Sequence, residues 1–529
     1  MLKRRYWKPL AGIFFFILLI SALLFSISLF KIDILMTEYL LLILAVMAFF
    51  VYLSGLLLFY GMRRKSSLAR RVRRIIGVFL SIIFSVGFIY GTVLLLRIDS
   101  TKTAITSKPE VSLKAHVGVY VLKDDAAQSL SDMNGYRFAI LGELGDEKLH
   151  SEYAVAKIRE AIGTEIDTIS YPGITDAAIA LRDGEVQALA VNSIYISFLG
   201  DTENLKEFAK ELRLIEEIPV PDLETKEDTT IVNNQEKTSD SVKDPARRPE
   251  KTTVKEEVYG EDRALVFYIS GADKWDSNIN NLRSDVNILM FVNPKTGQIL
   301  LVNTPRDTFL DNPALGGGDK LTHCGIQGPE NSMAALERFY GISIDNYIKV
   351  NYAGFESIVD AIGGITVEVP SNFIAENGTY FEKGVQNLDG EKALTFARER
   401  NAFGSGDLAR GQNQLNILKA IIIKIKNTLP SVVLNYQELL DLLEGSIQTD
   451  LSSSQISDLS KVALRHMSEW EIKSYGLTGS SGMRVTASGG SEPLYIIWPD
   501  QNSVNFAIRL IDTLQKNEII TDALLSEAP

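Results

Sequence analysis

The sequence predicts an α/β protein in three parts: an N-terminal three-helix membrane anchor, a small α/β accessory domain, and a three-layer α/β/α domain. Three observations carry that prediction. Apolar stretches of membrane-spanning length crowd the beginning of the chain. The charge changes sign after them. Beyond a polar linker, β-branched runs alternate with helical periodicity. A chain of 529 residues is long enough for about three or four units, and 46% hydrophobic with 23% charged residues is the composition of a folding protein.

The anchor comes first, over residues 1–97. Leu10–Phe30, Tyr39–Tyr60 and Ile75–Leu96 each approach the ~20 residues a helix needs to cross the hydrocarbon core. Lys3, Arg4, Arg5 and Lys8 resemble the basic start of a signal peptide, but Ser28-Leu29-Phe30 is a poor cleavage site and two more spans follow, so the segment is expected to be retained. Arg63, Arg64, Lys65, Arg70, Arg71, Arg73 and Arg74 lie between the second and third stretches, whereas Lys31 sits beside Asp33 and Glu38 between the first two. The positive-inside rule then places the N-terminus and the Arg-rich loop in the cytoplasm and everything after Arg97 outside, as a multi-pass protein of the cell membrane. The same arginines suit contact with anionic lipid. The net charge of −12 is therefore an average of unlike regions: thirteen basic and two acidic side chains up to Arg97, a balance of +11, against 41 and 64 beyond it, a balance of −23.

Residues 98–220 read as the accessory α/β domain. Val117–Leu122, Phe138–Leu141 and Val186–Val191 are strand-like, and Glu152–Ile162 and Asp176–Arg182 are helix-like. Asn134-Gly135 and the run from Leu181 to Ala188 look like one lobe of a periplasmic solute-binding fold; a spacer domain without ligand is the alternative. Residues 221–262 are rich in Lys, Glu, Asp, Thr and Ser and too poor in apolar side chains to offset their ordering entropy, which predicts a flexible linker.

The last domain spans residues 263–520. Leu265–Ile269, Val286–Val292 and Ile299–Val302 are near-continuous apolar runs, as in strands covered on both faces, with a turn at Asn293–Gly297 joining the last two. Helical patterns follow at Glu330–Phe339, Tyr352–Ala361, Gly390–Phe396 and Asp407–Lys426, with further helices near Tyr436–Leu443 and Ser453–His466 assigned to completing the domain. Cys324 is the only cysteine and there are four histidines, so an intrachain disulfide and a thiolate cluster are excluded and an all-His metal site is not expected.

Charged residues gather at the ends of these elements: Asp273, Arg283 and Asp285, Arg306 and Asp307, then Arg398, Glu399, Arg400, Asp407, Arg410 and Gln414. On a helix opened by Asp407, positions 407, 410 and 414 share one face. Guanidinium forks bind phosphate oxygens bidentately and carboxylates hold a hard cation such as Mg2+ against them, so the set suits a diphosphate. Surface ion pairs are the other reading. No phosphate loop of the Gly-x-x-x-x-Gly-Lys-Ser/Thr type and no Gly-x-Ser-x-Gly elbow occurs.

Tyr268-Ile269-Ser270-Gly271-Ala272-Asp273, Arg283-Ser284-Asp285-Val286-Asn287, Thr304-Pro305-Arg306-Asp307, Lys320-Leu321-Thr322-His323, Ala361-Ile362-Gly363-Gly364-Ile365, the run from Leu388 to Arg400, and Asp407-Leu408-Ala409-Arg410-Gly411-Gln412-Asn413-Gln414 follow one another in order. Together they closely resemble the LytR–CpsA–Psr family, and three spans plus an accessory domain resemble its CpsA (Wzg) branch of capsule loci. Ala272 and Cys324 are small departures at uncharged positions. The resemblance implies an extracytoplasmic, Mg2+-dependent phosphotransferase, with Mn2+ as a substitute. Its substrate would be an undecaprenyl-diphosphate-linked glycopolymer, here capsular polysaccharide, and its acceptor peptidoglycan. It implies metal-associated acids at Asp273 and Asp285. Diphosphate-binding groups are implied at Arg306, Arg398, Arg400, Arg410 and Gln414, to which Arg283 is added, and an acid that orients the arginines at Asp407. Asp273, Arg306, Asp407 and Arg410 are the expected catalytic set, with Asp273 a candidate general base or metal support. The Ile-rich tail after Gln414 reads as core or as a wall for the prenyl chain, and His323 as a structural imidazole. Two other functions stay open: a membrane-anchored regulator of capsule synthesis, working with capsule assembly or tyrosine-kinase machinery, and a polyprenyl-diphosphate phosphatase. Direct nucleic-acid binding is not expected, because no helix-turn-helix or zinc module is present.

Overall fold

Leu, Ile and Phe dominate α1 (Arg4–Ile32), α2 (Thr37–Phe59) and α3 (Leu68–Thr106), the three helices long and apolar enough to cross a membrane in the computed structural model. The structure describes residues 4–59, 68–106, 113–142, 147–202, 204–221, 263–272, 282–403, 406–443, 446–465 and 470–529. Arg63, Arg64 and Lys65 of the predicted Arg-rich loop, nearly all of the predicted linker, and Asp273 lie outside these residues, whereas Arg70, Arg71, Arg73 and Arg74 fall within α3. Two units are distinguished: one of Met1–Ser107, Pro430–Glu444 and Leu451–Ser468, the other of Lys108–Leu429, Gly445–Asp450 and Glu469–Pro529.

In the first unit the helices meet through rings and small residues. Phe25 stacks on Phe88 with centroids 5.7 Å apart, and Phe50 meets Phe84 at 4.4 Å. A Cβ on Gly91 would stand 2.5 Å from the Phe25 ring, so glycine is what allows α1 and α3 their approach. Phe16, Leu41, Tyr52 and Phe79 stay exposed, as lipid-facing side chains do. The apolar part of α3 runs over Val72–Thr103, longer at both ends than the predicted stretch. The helix α12 (Ser453–Arg465), expected to complete the last domain, is instead grouped with these helices. Its Ser457 hydroxyl and the Lys102 ammonium both donate to the Ile32 carbonyl, at 3.3 and 3.2 Å, and Lys461 pairs with Asp33 at 2.9 Å. The polar face of an amphipathic helix finds its partners here at a helix end, which strand-and-helix periodicity does not reveal.

The second unit begins with the accessory domain. β1 (Leu113–Leu122), β2 (Arg137–Ile140), β3 (Asp167–Ser170), β4 (Ala188–Asn192) and β5 (Leu212–Pro221) form one sheet in the order β3-β2-β4-β1-β5. α4 (Glu147–Ile162) covers one face through Ala154 and Ile158, and α5 (Ile174–Arg182) covers the other through Ala177 and Leu181. β3 and β5 were not legible as strands because their exposed faces carry Asp, Thr, Arg and Glu. The short α6 (Ile196–Leu199) follows β4 and leads to Asp201.

The sheet of the last domain has the order β16-β11-β6-β7-β8-β17, built from β6 (Leu265–Ala272), β7 (Ser284–Asn293), β8 (Gln298–Asn303), β11 (Asn346–Val350), β16 (Ile447–Thr449) and β17 (Glu471–Gly476). β6, β7 and β8 are the three predicted apolar runs. Their side chains alternate between two apolar layers. Leu289, Phe291, Leu300 and Val302 face α8 (Pro329–Tyr340) and α13 (Gln501–Gln515), while Ile288, Ile299 and Leu301 face Leu415, Leu418 and Ile422 of α11 (Asp407–Leu443). That is the three-layer α/β/α arrangement expected from runs apolar on both faces. Much of the Ile-rich stripe after Gln414 is thus core. β6 and β8 are each antiparallel to β7, so the end of β6, the start of β7 and the end of β8 share one edge of the sheet.

Leu415→Ala should therefore cost about 2–5 kcal/mol, whereas Ile425→Ala, at a side chain 38% exposed on the same helix, should change stability by about 0.5 kcal/mol or less. Thermal unfolding of the full chain in detergent reads the difference.

Candidate active site

Three chain segments converge at that shared sheet edge. Asp285 opens β7, Arg306 and Asp307 follow β8, and the hairpin of β9 (Phe309–Asn312) and β10 (Gly317–Lys320) returns Lys320 and Thr322 to the same place. The hairpin is pinned by Thr322 N–H, which donates to the Arg306 carbonyl at 2.8 Å. Arg306 Nη1 donates to Asp285 Oδ1 at 2.7 Å, and the Thr322 hydroxyl donates to the same oxygen at 3.2 Å. Lys320 Nζ lies 3.3 Å from Asp307 Oδ1. The fourth segment is the first turn of α11, where Asp407 and Arg410 form an ion pair one turn apart. On the same helix Gln414 Oε1 accepts from Asn303 Nδ2 at 3.3 Å, which ties α11 to the end of β8. Gly411 permits that approach, since a Cβ there would stand 2.4 Å from Asn303 Oδ1.

These segments line a cleft of about 290 Å³ bounded by Asp201, Arg306, Asp307, Lys320, Arg400, Gly406, Asp407 and Tyr495. Tyr495 stands on β19 (Leu494–Pro499) and Arg400 just beyond α10 (Gly390–Arg398). Arg306 is 9% exposed and Lys320 2%. Arg306 Nε is buried without a hydrogen-bond partner, 3.7 Å from Asp307 Oδ1, so one donor of a cleft-lining residue is left for a ligand to satisfy.

The acids differ in how readily they ionise. Burial pushes the Asp285 carboxyl up, but the guanidiniums of Arg306, Arg283 and Arg410 outweigh it and hold the group below the usual carboxylate range. Burial likewise opposes Lys320, Arg306 and Arg410 at Asp307, and the cations win. Asp407 goes the other way. Burial raises it, Arg410 pulls it down, and the neighbouring charges of Asp307 and Asp285 help keep it raised. Arg306 stays protonated, its burial outweighed by Asp285, Asp307, Asp201 and Asp407.

Of the residues predicted from sequence, Arg306, Arg400 and Asp407 line the cleft, and Asp285, Arg410 and Gln414 support it from behind. Arg283 turns elsewhere, to Ser197 Oγ at 3.2 Å and Asp201 at 3.3 Å. Arg398 lies over the Tyr352 ring at 4.5 Å, outside the cleft lining. Lys320, Tyr495 and Asp201 carried no sequence signal for a role at the site. Lys320 stood inside a quoted motif, but Asp201 belongs to another domain. His323 is structural: its Nδ1 lies 2.8 Å from Asp319 and 2.8 Å from Ser488, and its ring stacks on Phe198 at 3.9 Å.

No group of three or more His, Cys, Asp or Glu side chains able to hold a metal occurs among the described residues. Mg2+, however, commonly takes only one or two carboxylates together with substrate phosphates and water. Asp285, held below the usual carboxylate range just behind the cleft lining, is a carboxylate of the kind such a donor set uses.

The LytR_cpsA_psr family profile matches residues 229–494. A polyisoprenyl-teichoic acid–peptidoglycan teichoic acid transferase TagU of Oceanobacillus iheyensis is 32% identical over 232 residues, 42% of this chain and 71% of that protein. The TagU protein of Enterococcus faecalis is 35% identical over 211 residues, 40% of this chain and 68% of that protein. Among solved structures, TagT bound to LIIa-WTA is 25% identical with a TM-score of 0.40, over 48% of this chain and 92% of that one.

Asp285→Ala should leave the buried Arg306 guanidinium without its hydrogen-bonded partner, with Asp307 3.7 Å away as the remaining pair, and cost about 3 kcal/mol, while Thr322→Val should cost only about 1 kcal/mol. Chemical denaturation of the two variants against the parent chain measures both.

Proposed function

The chain belongs to the LytR–CpsA–Psr family, and from that premise we propose a transferase that moves a polyprenyl-diphosphate-linked glycopolymer, capsular polysaccharide in our reading, onto a hydroxyl of peptidoglycan. The observation that carries the reading is the cleft itself: buried cations converge on it and leave the Arg306 Nε donor without a hydrogen bond. The relatives' printed names, which specify a polyisoprenyl-linked polymer and peptidoglycan, support the substrate class. The loop charges support a cytoplasmic N-terminus and an external catalytic unit, where the acceptor is.

In this reading the diphosphate sits against Arg306, Lys320 and Arg400, with Arg410 behind them. The acceptor oxygen bonds to the sugar-side phosphorus as the bond from that phosphorus to the prenyl phosphate breaks. The cations balance the charge that grows on the leaving phosphate. Gln414 and Asn303 hold the first turns of α11 in register, and Asp407 orients Arg410. Asp407 is also the carboxylate suited to take the acceptor's proton, because its raised pKa brings it closer to working pH than its neighbours. Asp285 is the residue that would help hold Mg2+, and the ion, when bound, would add charge neutralisation. Asp273, for which the sequence suggested a role as base or metal support, lies outside the described residues.

Arg306→Ala should abolish attachment of polymer to peptidoglycan in cells; normal attachment would overturn the proposal, and free polymer as the sole product would favour a phosphatase. Chelator should stop transfer and Mg2+ restore it, and a rate indifferent to both removes the ion. Because Asp407 must be ionised to accept a proton and its pKa is raised, transfer should fall on the acid side at a pH above the ordinary carboxylate range of about 4. An acid limb at about 4 in the pH–rate profile speaks against Asp407 as base.

A further inference from the structure

The accessory domain is joined to the catalytic domain by a specific surface. Ile326 of the catalytic domain is buried inside the accessory domain's own apolar cluster with Tyr195, Phe198 and Leu199. Gln327 donates to the Tyr195 hydroxyl at 3.2 Å, the Thr175 hydroxyl donates to the Gly489 carbonyl at 2.8 Å, and Ser491 N–H donates to Asp176 at 3.1 Å. The end of β4, where a solute-binding lobe would place its ligand, is thus built into the joint by Tyr195 and its neighbours. A spacer role would require nothing more than this joint.

Asp201 does more than join. It lines the cleft, and its Oδ2 lies 3.3 Å from Arg283 Nη2 and 3.8 Å from Lys320 Nζ. Arg283 is otherwise taken up by the same domain, with Ser197 Oγ at 3.2 Å and the Phe198 ring under its guanidinium at 5.8 Å. The cleft wall consequently carries as many acids as cations: Asp201, Asp307 and Asp407 against Arg306, Lys320 and Arg400. Asp307 and Asp407 have close partners within the catalytic domain, Lys320 and Arg410. Asp201 comes from outside it and is the acid whose removal leaves those pairs intact.

We propose that the accessory domain supplies Asp201 as a built-in counter-anion, a positioning residue that pairs Arg283 and Lys320 before substrate arrives and lowers the cleft's affinity for diphosphate. This rests on the reading of the cleft as a diphosphate site. A like charge on the wall repels the incoming diphosphate and competes with the phosphate that must depart. The catalytic domain thereby has its binding strength set in part by a module outside residues 229–494, which the family profile matches.

The test uses the full chain in detergent with farnesyl diphosphate as probe. Asp201→Asn should bind it about three- to tenfold more tightly at low salt, the advantage shrinking as salt screens the cleft. Asp201→Glu should retain the parent affinity, and Ser491→Ala, at the same joint but away from the cleft, should change neither affinity nor its salt dependence. Unchanged or weaker binding by Asp201→Asn, with thermal stability retained, overturns the counter-anion. Should Asp201→Asn unfold, the comparison passes to Asp201→Ser, judged by the same outcomes. If Arg306→Ala binds the probe as well as the parent, the diphosphate reading of the cleft fails instead, which separates the two failures.

Discussion

The pair between Asp285 and Arg306 is the interaction on which the rest of the site depends. Both side chains are removed from water, one at the start of β7 and the other beyond the end of β8. A lone charge in that position would be costly, so each fixes the other. The pair gains an extra donor from Thr322, and Thr322 is there because the β9–β10 hairpin is pinned to the Arg306 carbonyl. The hairpin in turn carries Lys320 to Asp307. One buried pair therefore organises two strands, one hairpin and most of the positive charge of the cleft. It leaves Arg306 with an unsatisfied Nε, which gives a polar ligand something to bind.

Apolar packing determines where that pair can sit. Both faces of the central sheet are covered, by α8 and α13 on one side and α11 on the other. Polar groups can then be wet only at the strand ends, and the antiparallel order of β6, β7 and β8 gathers three of those ends at one edge. α11 serves both demands. Its Leu415, Leu418 and Ile422 seal the sheet, while in the turns before them Asp407 lines the cleft, Arg410 pairs with Asp407, and Gln414 bonds to the end of β8. Extending the cleft with Asp201 follows the same logic from another chain segment: Phe198 and Ile326 bury the joint, and the acid at its border is left facing the cations.

The three membrane helices, β6 to β8, α8, α9 (Tyr352–Ala361), α10 and the start of α11 were legible because each has a strong local signal: unbroken apolar length, β-branched runs, or helical periodicity. β3, β5 and the edge strand β17 were not, since half-exposed strands with Asp, Glu, Lys or Arg lack such a run, and β17 pairs with β8 across a long sequence separation. α12 had the right periodicity and was still misassigned, because periodicity tells which face is buried and not against what. Arg283 and Arg398 illustrate the same limit at the site. Both looked like phosphate ligands by position, and tertiary contacts turn one to Asp201 and stack the other on Tyr352.

By itself, then, the sequence determined the anchor, the layered fold class, the family and many of the charged groups that gather at or beside the cleft. These rest on local pattern and on residue order, which a chain carries without folding. Which charges meet was decided only by the tertiary structure. A charge becomes informative when it is desolvated beside another, and desolvation depends on what packs over it: Asp285 under Arg306, Lys320 beside Asp307, and Asp201 brought in from a separate domain. The net charge of −12 contains none of this, because the energy of a charge depends on its distance from its neighbours and on the water between them.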